Sequence, residues 1–313
     1  MSVVIEVQEL KKSFGRVDAV DKVSFQVNQG ELFGFLGENG AGKSTTINML
    51  CTLYKKDGGD AAICGYELGK QDEKIRGKIG VVFQNNTLDN LLTIKQNLII
   101  RSSLYLKTRK EMKENLERVS KLLEIEELLE RPFKSLSGGQ KRRCEIARAL
   151  MNQPEIIFLD EPTTGLDPQT RKNVWNIIEI LRKEMKMTVF LTTHYMEEAA
   201  KADHIAIMDL GKIIEDATPY ELKEKYAHDR LLIVPKDREK VMEVLRRTPY
   251  RVNEKPTYLS VHIKDSCNSI PVLYEIKDVI DSFEVIKGSM DDVFLNVTGR
   301  ALSDQAREEE LCK

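Results

Sequence analysis

The residues with the plainest chemical purpose lie between Leu32 and Thr46, in the stretch LFGFLGENGAGKSTT. Gly37, Gly42, Lys43 and Ser44 fill the pattern GxxxxGK[ST], and the apolar run Leu32 to Leu36 reads as a buried strand leading through a loop into a helix. Glycines at 37, 40 and 42 let the backbone curl so that several N–H groups face one anion. The helix that follows adds its positive N-terminal end. Lys43 brings a point charge for terminal phosphates, Ser44 a hydroxyl for Mg²⁺, and Thr45 a reach to an inner phosphate.

Other residues of the same chemistry are scattered along the chain. The apolar run Ile156 to Leu159 ends in Asp160 and Glu161. A carboxylate at a strand end can hold the shell of a Mg²⁺ ion, as Asp160 would, and the next one, Glu161, can orient and deprotonate a water aimed at the terminal phosphate. Ile79 to Phe83 ends on Gln84, whose amide can meet Mg²⁺ or water. Met187 to Leu191 leads through Thr192 and Thr193 to His194, a sensor for the same phosphate. Ser137, Gly138 and Gly139 of LSGGQ open a second helix, with the serine as N-cap and the glycines permitting close approach of another phosphate. Phe14 precedes a glycine and offers a flat face to a purine ring.

These side chains need a scaffold of parallel strands, and the chain has the size for it. At 313 residues it has room for two domains. A composition 41% hydrophobic and 31% charged suits a globular protein, and a net charge of −2 gives no general attraction to nucleic acid or anionic membrane. No apolar run approaches the length needed to span a bilayer, and MSVVIEVQEL has no basic region followed by a long apolar one, so neither a membrane span nor a signal peptide is expected. Cys51, Cys64, Cys144, Cys267 and Cys312 show no metal-ligand spacing and read as reduced thiols.

Alternating runs at Val3 to Val7 and Val23 to Val27 read as half-buried strands, and DGGD at 57–60 as a turn before a strand from Ala61. Leu91 to Leu129 reads as largely helical, with Met112, Leu116, Val119, Leu122 and Leu123 at helical spacing. It forms a helical subdomain inserted between two halves of the sheet, about 91–151.

In this order the motifs resemble the ATP-binding subunit of an ATP-binding-cassette transporter, over residues 1–226. The resemblance implies an α/β fold: a P-loop NTPase cassette with a mixed RecA-like core sheet, an antiparallel β-subdomain and the inserted helical subdomain. It assigns Phe14 to adenine stacking and Gly37, Asn39, Gly40, Ala41, Gly42, Lys43, Ser44 and Thr45 to the Walker A loop. Gln84 falls on the Q-loop, Leu136 to Gln140 on the signature, Asp160 and Glu161 on Walker B, Asp167 on the D-loop and His194 on the switch histidine. Gly165 stands where the wider family more often has alanine, with a more flexible loop as the expected consequence. The implied ligands are ATP and Mg²⁺, with Ser44, Gln84 and Asp160 near the metal. The implied assembly is two cassettes, identical or related, paired head to tail, each offering Ser137, Gly138, Gly139 and Gln140 to the other's ATP. A separate transmembrane permease, met near Gln84 to Leu98, would hold them at the cytoplasmic face of the membrane. A soluble cassette regulating a ribosome or DNA partner is the alternative, although there is no basic tract or long coiled-coil insertion. A nucleotide kinase would leave LSGGQ and His194 without a task.

Residues 227–300 carry none of these motifs. Their order β-α-β-β-α-β predicts a small α+β, ferredoxin-like domain, followed by a helix around SMDDVFLNV and a polar tail at 301–313. The DDVFL segment resembles the C-terminal extension of daunorubicin-resistance-type exporters. That resemblance favours export over import and implies that the extension contacts the partner chain of the dimer.

Overall fold

The structure, a computed structural model, describes residues 2–299; the tail at 301–313, with Cys312, lies outside them. The chain divides into two compact units, Met1–Ala217 and Thr218–Lys313.

The first unit begins with β1 (Val3–Phe14), β2 (Val17–Asn28), β3 (Leu32–Leu36), α1 (Lys43–Leu50), β4 (Gly58–Ile63), β5 (Tyr66–Glu67), α2 (Asp72–Lys78) and β6 (Ile79–Val82). An antiparallel sheet runs in the order β2-β1-β4-β5. Its alternating side chains, Ile5 and Val7 on β1, Val23, Phe25 and Val27 on β2, turn one face inward. DGGD is not a turn here, because Gly58 to Asp60 already belong to β4. The reason is a bulge in the partner strand. Glu9 has φ +47°, the pairing of β1 with β4 slips between Gln8 and Lys11, and Gly59 at φ +73° lies against the Glu9 carbonyl. A Cβ on Gly59 would come within 2.1 Å of that oxygen. Gly59→Ala should therefore cost about 2–3 kcal/mol, read as a lower midpoint of urea unfolding; an unchanged midpoint would contradict this packing.

The chain continues through α3 (Ile94–Ser102), α4 (Arg109–Leu122), α5 (Gly138–Leu150), β7 (Ile156–Asp160), α6 (Pro168–Lys183), β8 (Thr188–Thr193), α7 (Met196–Ala199), β9 (His204–Asp209) and β10 (Lys212–Ala217). The core sheet has the order β10-β9-β3-β8-β7-β6, parallel except for the β9–β10 hairpin. Every residue of β3, β7 and β8 is buried, as a strand covered on both faces requires. Phe25 of the antiparallel sheet stacks on Phe33 of β3 at 5.3 Å, and Phe190 of β8 lies 5.2 Å from Phe33 and 5.3 Å from Phe158 of β7. Such pairs contribute ~1 kcal/mol each beyond their burial. Between β6 and β7 the long helical reading breaks into separate pieces. Thr93 and Thr108 each start a helix with a reciprocal cap, to Gln96 and to Glu111.

The second unit comprises α8 (Pro219–Tyr226), β11 (Asp229–Pro235), α9 (Arg238–Leu245), β12 (Val252–Glu254), β13 (Leu259–Ile263), α10 (Ser269–Ile276), β14 (Ile280–Ile286) and α11 (Met290–Thr298). Its antiparallel sheet has the order β12-β13-β11-β14, the 2-3-1-4 arrangement of a ferredoxin-like βαββαβ unit. Leu231, Ile233, Val261, Val241, Val272 and Ile276 fill its core. The unit starts at Thr218 rather than at 227, because α8 packs on α11 and Asn296 Nδ2 donates to the Tyr226 carbonyl at 2.7 Å.

Candidate active site

Strands β3, β6, β7 and β8 run parallel, so their C-terminal ends share one edge of the sheet. The Gly37–Gly42 loop leaves β3, Gln84 follows β6, Asp160 ends β7 with Glu161 next, and Thr193 ends β8 with His194 next. Topology thus gathers residues far apart in sequence at the one place where an α/β sheet opens to a ligand.

The loop is built for an anion. Gly42 has φ +109°, and a Cβ there would fall 2.2 Å from the Ala19 carbonyl; one on Gly37 would fall 2.4 Å from that of Met208. Helix α1 then starts without a side-chain cap and without an acidic residue in its first turn, so its N–H groups and dipole face the hollow unneutralised. Lys43 is buried, and its ammonium donates to the carbonyls of Gly37 at 2.7 Å and Glu38 at 2.9 Å. Burial lowers its pKa, while the carboxylates of Glu161 and Asp160 push it back up. Asn39 and Gly40 are exposed on the loop, Ala41 is buried, and Thr45 is half-buried beside the exposed Ser44.

The two carboxylates are held differently. Asp160 Oδ1 accepts from Thr192 Oγ1 at 2.6 Å and from Ser44 Oγ at 3.2 Å. Among the described residues no three His, Cys, Asp or Glu side chains come together as a metal cage. A hydroxyl and one carboxylate beside a phosphate cradle fit Mg²⁺, which keeps waters and phosphate oxygens as its other ligands. Glu161 has φ +43°, a left-handed conformation that costs a side-chain-bearing residue about 1–2 kcal/mol. Its N–H donates to Thr192 Oγ1 at 3.0 Å. Glu161 Oε2 accepts from Thr164 Oγ1 at 3.1 Å and Gln84 Nε2 at 3.3 Å, while Oε1 lies 3.8 Å from the Lys43 ammonium. His194 Nδ1 stands 3.4 Å from Oε2, buried but not aligned as a hydrogen bond. This ring is the largest influence holding the Glu161 carboxyl below the usual carboxylate range; burial opposes it, and Lys43 and Thr164 assist it.

Lys43, Ser44, Gln84, Asp160, Glu161 and His194 are therefore brought together. The signature residues lie elsewhere. Ser137 caps α5, its Oγ accepting from Gln140 N at 3.4 Å while Gln140 Oε1 accepts from Ser137 N at 3.0 Å. The serine keeps its proton to donate, and the Gln140 amide is engaged in the cap. A Cβ on Gly139 would meet Thr170 Cγ2 at 2.7 Å, and Gly138 sits near Leu166. Asp167 caps α6 through Thr170 N at 3.0 Å. Gly165, two residues before Asp167, has φ +74°, so an alanine there is strained and the loop is turned rather than merely loosened. Phe14 is 49% exposed, edge-on to Tyr54 at 5.8 Å, with the Lys12 ammonium 5.4 Å from its ring.

Three charged residues without a motif also hold this edge. Arg142 of α5 donates to the carbonyls of Pro162 and Phe83, both at 2.6 Å, and burial lowers its pKa to about 10. Glu145, one turn on, accepts from the backbone N–H groups of Thr87 and Leu88 and from Arg148 Nε. Glu198 of α7 accepts from Thr163, Trp175 and Thr193. One helix thus ties the signature to the segments after β6 and β7.

Residues 20–164 match the family described as ABC transporter. The chain is 35% identical to the daunorubicin/doxorubicin resistance ATP-binding protein DrrA of Streptomyces peucetius, over 97% of this chain and 95% of that one. It is 31% identical to the Nod factor export ATP-binding protein I of Ralstonia nicotianae, over 96% of this chain and 95% of that one. Among solved structures, a dimeric post-hydrolysis state of the ATP-binding cassette MJ0796 bound to ADP and Pi superposes with a TM-score of 0.63 at 28% identity, covering 69% of this chain and 98% of that one. The chain belongs to the ATP-binding subunits of ABC transporters, enzymes that bind and hydrolyse ATP.

Proposed function

We propose that two such cassettes, two copies of this chain or this chain and a related one, close head to tail on ATP and so drive a separate membrane permease that exports a drug, an antibiotic or a lipid. The observation that carries this is the convergence of Lys43, Asp160, Glu161, Gln84 and His194 on one strand edge, with Ser137 heading a helix outside that cluster. A cradle with all its chemistry in place and a second phosphate-binding helix end outside it calls for a second chain.

In this reading the Gly37–Thr45 loop and Lys43 bind the phosphates, and the exposed ring of Phe14 stacks on the adenine. Ser44, Asp160 and Gln84 would hold Mg²⁺, which neutralises developing charge on the phosphate oxygens. Glu161 takes the proton from the attacking water. His194 steadies the γ-phosphate and keeps Glu161 ionised. Ser137, Gly138 and Gly139 of one chain, with Asp167 near by, close over the ATP of the other. The stretch from Gln84 to Leu98, exposed over most of its first half, would meet the permease's cytoplasmic helices, and the chain would then sit at the cytoplasmic face of the membrane.

Export follows from the relatives, two of which are named for drug resistance and Nod factor export. A drug or antibiotic as substrate fits the first of those names. The regulator of a ribosome or DNA partner has no support in these relatives' names, and no helix of the described residues is long and apolar enough to cross a membrane. The test is capture of the tagged full chain from gently solubilised membranes. A polytopic membrane protein should come with it, and should stimulate its phosphate release from Mg·ATP; recovery with ribosomes or DNA instead would overturn the reading.

A further inference from the structure

Glu198 is 2% exposed and lies in the short helix α7, outside every nucleotide-binding motif. Burying a carboxylate is costly unless its oxygens are satisfied, and an apolar side chain would fill the space more cheaply. What the carboxylate supplies is directed acceptors. Oε1 accepts from Thr163 Oγ1 and from Trp175 Nε1 at 3.2 Å; Oε2 accepts from Thr193 Oγ1 at 2.9 Å. Thr193 Oγ1 in turn accepts from Tyr195 N at 2.9 Å, so the residues on both sides of His194 are fixed by one chain of hydrogen bonds. Thr163 lies in the turn after Glu161, where Thr164 Oγ1 reaches Glu161 Oε2 at 3.1 Å.

Two separate segments, the end of β8 and the turn after β7, are thus joined through a single buried side chain. They are the segments that bring His194 Nδ1 to 3.4 Å from Glu161 Oε2. We propose that Glu198 is a positioning residue for hydrolysis, setting the distance between the switch histidine and the carboxylate base through Thr193 and Thr163. It touches neither of them. The proposal rests on the roles given above to Glu161 and His194.

The test is steady-state hydrolysis of Mg·ATP by the full chain. Glu198→Ala should lower kcat about tenfold or more, a misplacement of about 1 Å being able to cost about 100-fold, with KM for ATP little changed. Glu198→Gln keeps an acceptor for Thr163 and Trp175, and its amide can donate to Thr193, so it should recover most of the rate. Because Glu198 acts through His194, adding Glu198→Ala to His194→Ala should lower kcat only slightly further. A wild-type kcat in Glu198→Ala, a loss confined to KM, or effects of the two alanine variants that multiply would each overturn the proposal. If Glu198→Ala does not unfold cooperatively like the parent, Thr193→Val, which keeps the volume and removes the hydroxyl that joins Glu198 to the Tyr195 N–H, is judged by the same criteria. Glu161→Gln run in parallel separates the two readings. Full activity there would refute the base assignment itself, whereas an inactive Glu161→Gln beside a fully active Glu198→Ala would refute only the positioning role.

Discussion

Replacing Glu161 by glutamine should reduce ATP hydrolysis about a thousandfold, within the range that a general base supplies, while leaving ATP affinity within a few-fold. The amide keeps the volume and the partners at Thr164 and Gln84 but cannot take a proton from water. The same geometry fixes a pH dependence. The base works only when ionised, so hydrolysis is lost as pH falls through the Glu161 pKa. His194 beside it is the main cause of a lowered pKa, with Lys43 contributing and burial working the other way. His194→Ala should therefore move the acid limb of the pH–rate profile to higher pH as well as lowering the plateau. Phosphate release measured across pH checks both. A Glu161→Gln protein that hydrolyses ATP at the parent rate, or an acid limb that stays put without His194, would show that another group takes the proton.

Gly42→Ala should abolish useful ATP binding. At φ +109° and with the Ala19 carbonyl 2.2 Å from where its Cβ would go, the alanine cannot be accommodated by a side-chain rotation; the backbone of the cradle must move. The strain is about 3 kcal/mol or more, and if it falls on the loop rather than on the whole unit it weakens ATP by about 100-fold. Titration calorimetry with ATP reads the loss, and circular dichroism confirms that the sheet and helices remain. Affinity equal to the parent's would mean that these N–H groups do not hold the phosphates. Lys43→Ala is the milder companion. It removes the charge that ties the Gly37 and Glu38 carbonyls but adds no backbone clash.

The parts of this site that are legible in the sequence are those where one residue type has one use. Apolar runs such as Ile156 to Leu159 are buried on both faces of a parallel sheet, and polar residues directly after them fall at the open edge. Beyond Ala227 it is the element order β-α-β-β-α-β that is legible, and the ferredoxin-like arrangement it implies has β11 between β13 and β14, as found. Arg142, Glu145 and Glu198 are not. On an amphipathic helix a charged residue ordinarily faces water, and only the folded sheet supplies the carbonyls of Phe83 and Pro162 that draw Arg142 inward. The strand character of Gly58 to Asp60 is hidden because it depends on a bulge at Glu9, far away in sequence. The breaks in the helical subdomain were open to view. TIKQ at Thr93 and TRKE at Thr108 both have the spacing of a reciprocal helix cap, and a continuous helical pattern masks them.

In the proposed pair, each site is complete only when the second chain supplies Ser137, Gly138 and Gly139. Light scattering on the Glu161→Gln chain, saturated with Mg·ATP, tests it most directly. The expected particle has twice the 35.8 kDa chain mass and reverts to the single-chain mass when Ser137→Arg is added. A Glu161→Gln chain that binds ATP and stays at the single-chain mass would contradict a pair made of two copies, and a dimer indifferent to Ser137→Arg would contradict the role of the signature helix in any pair.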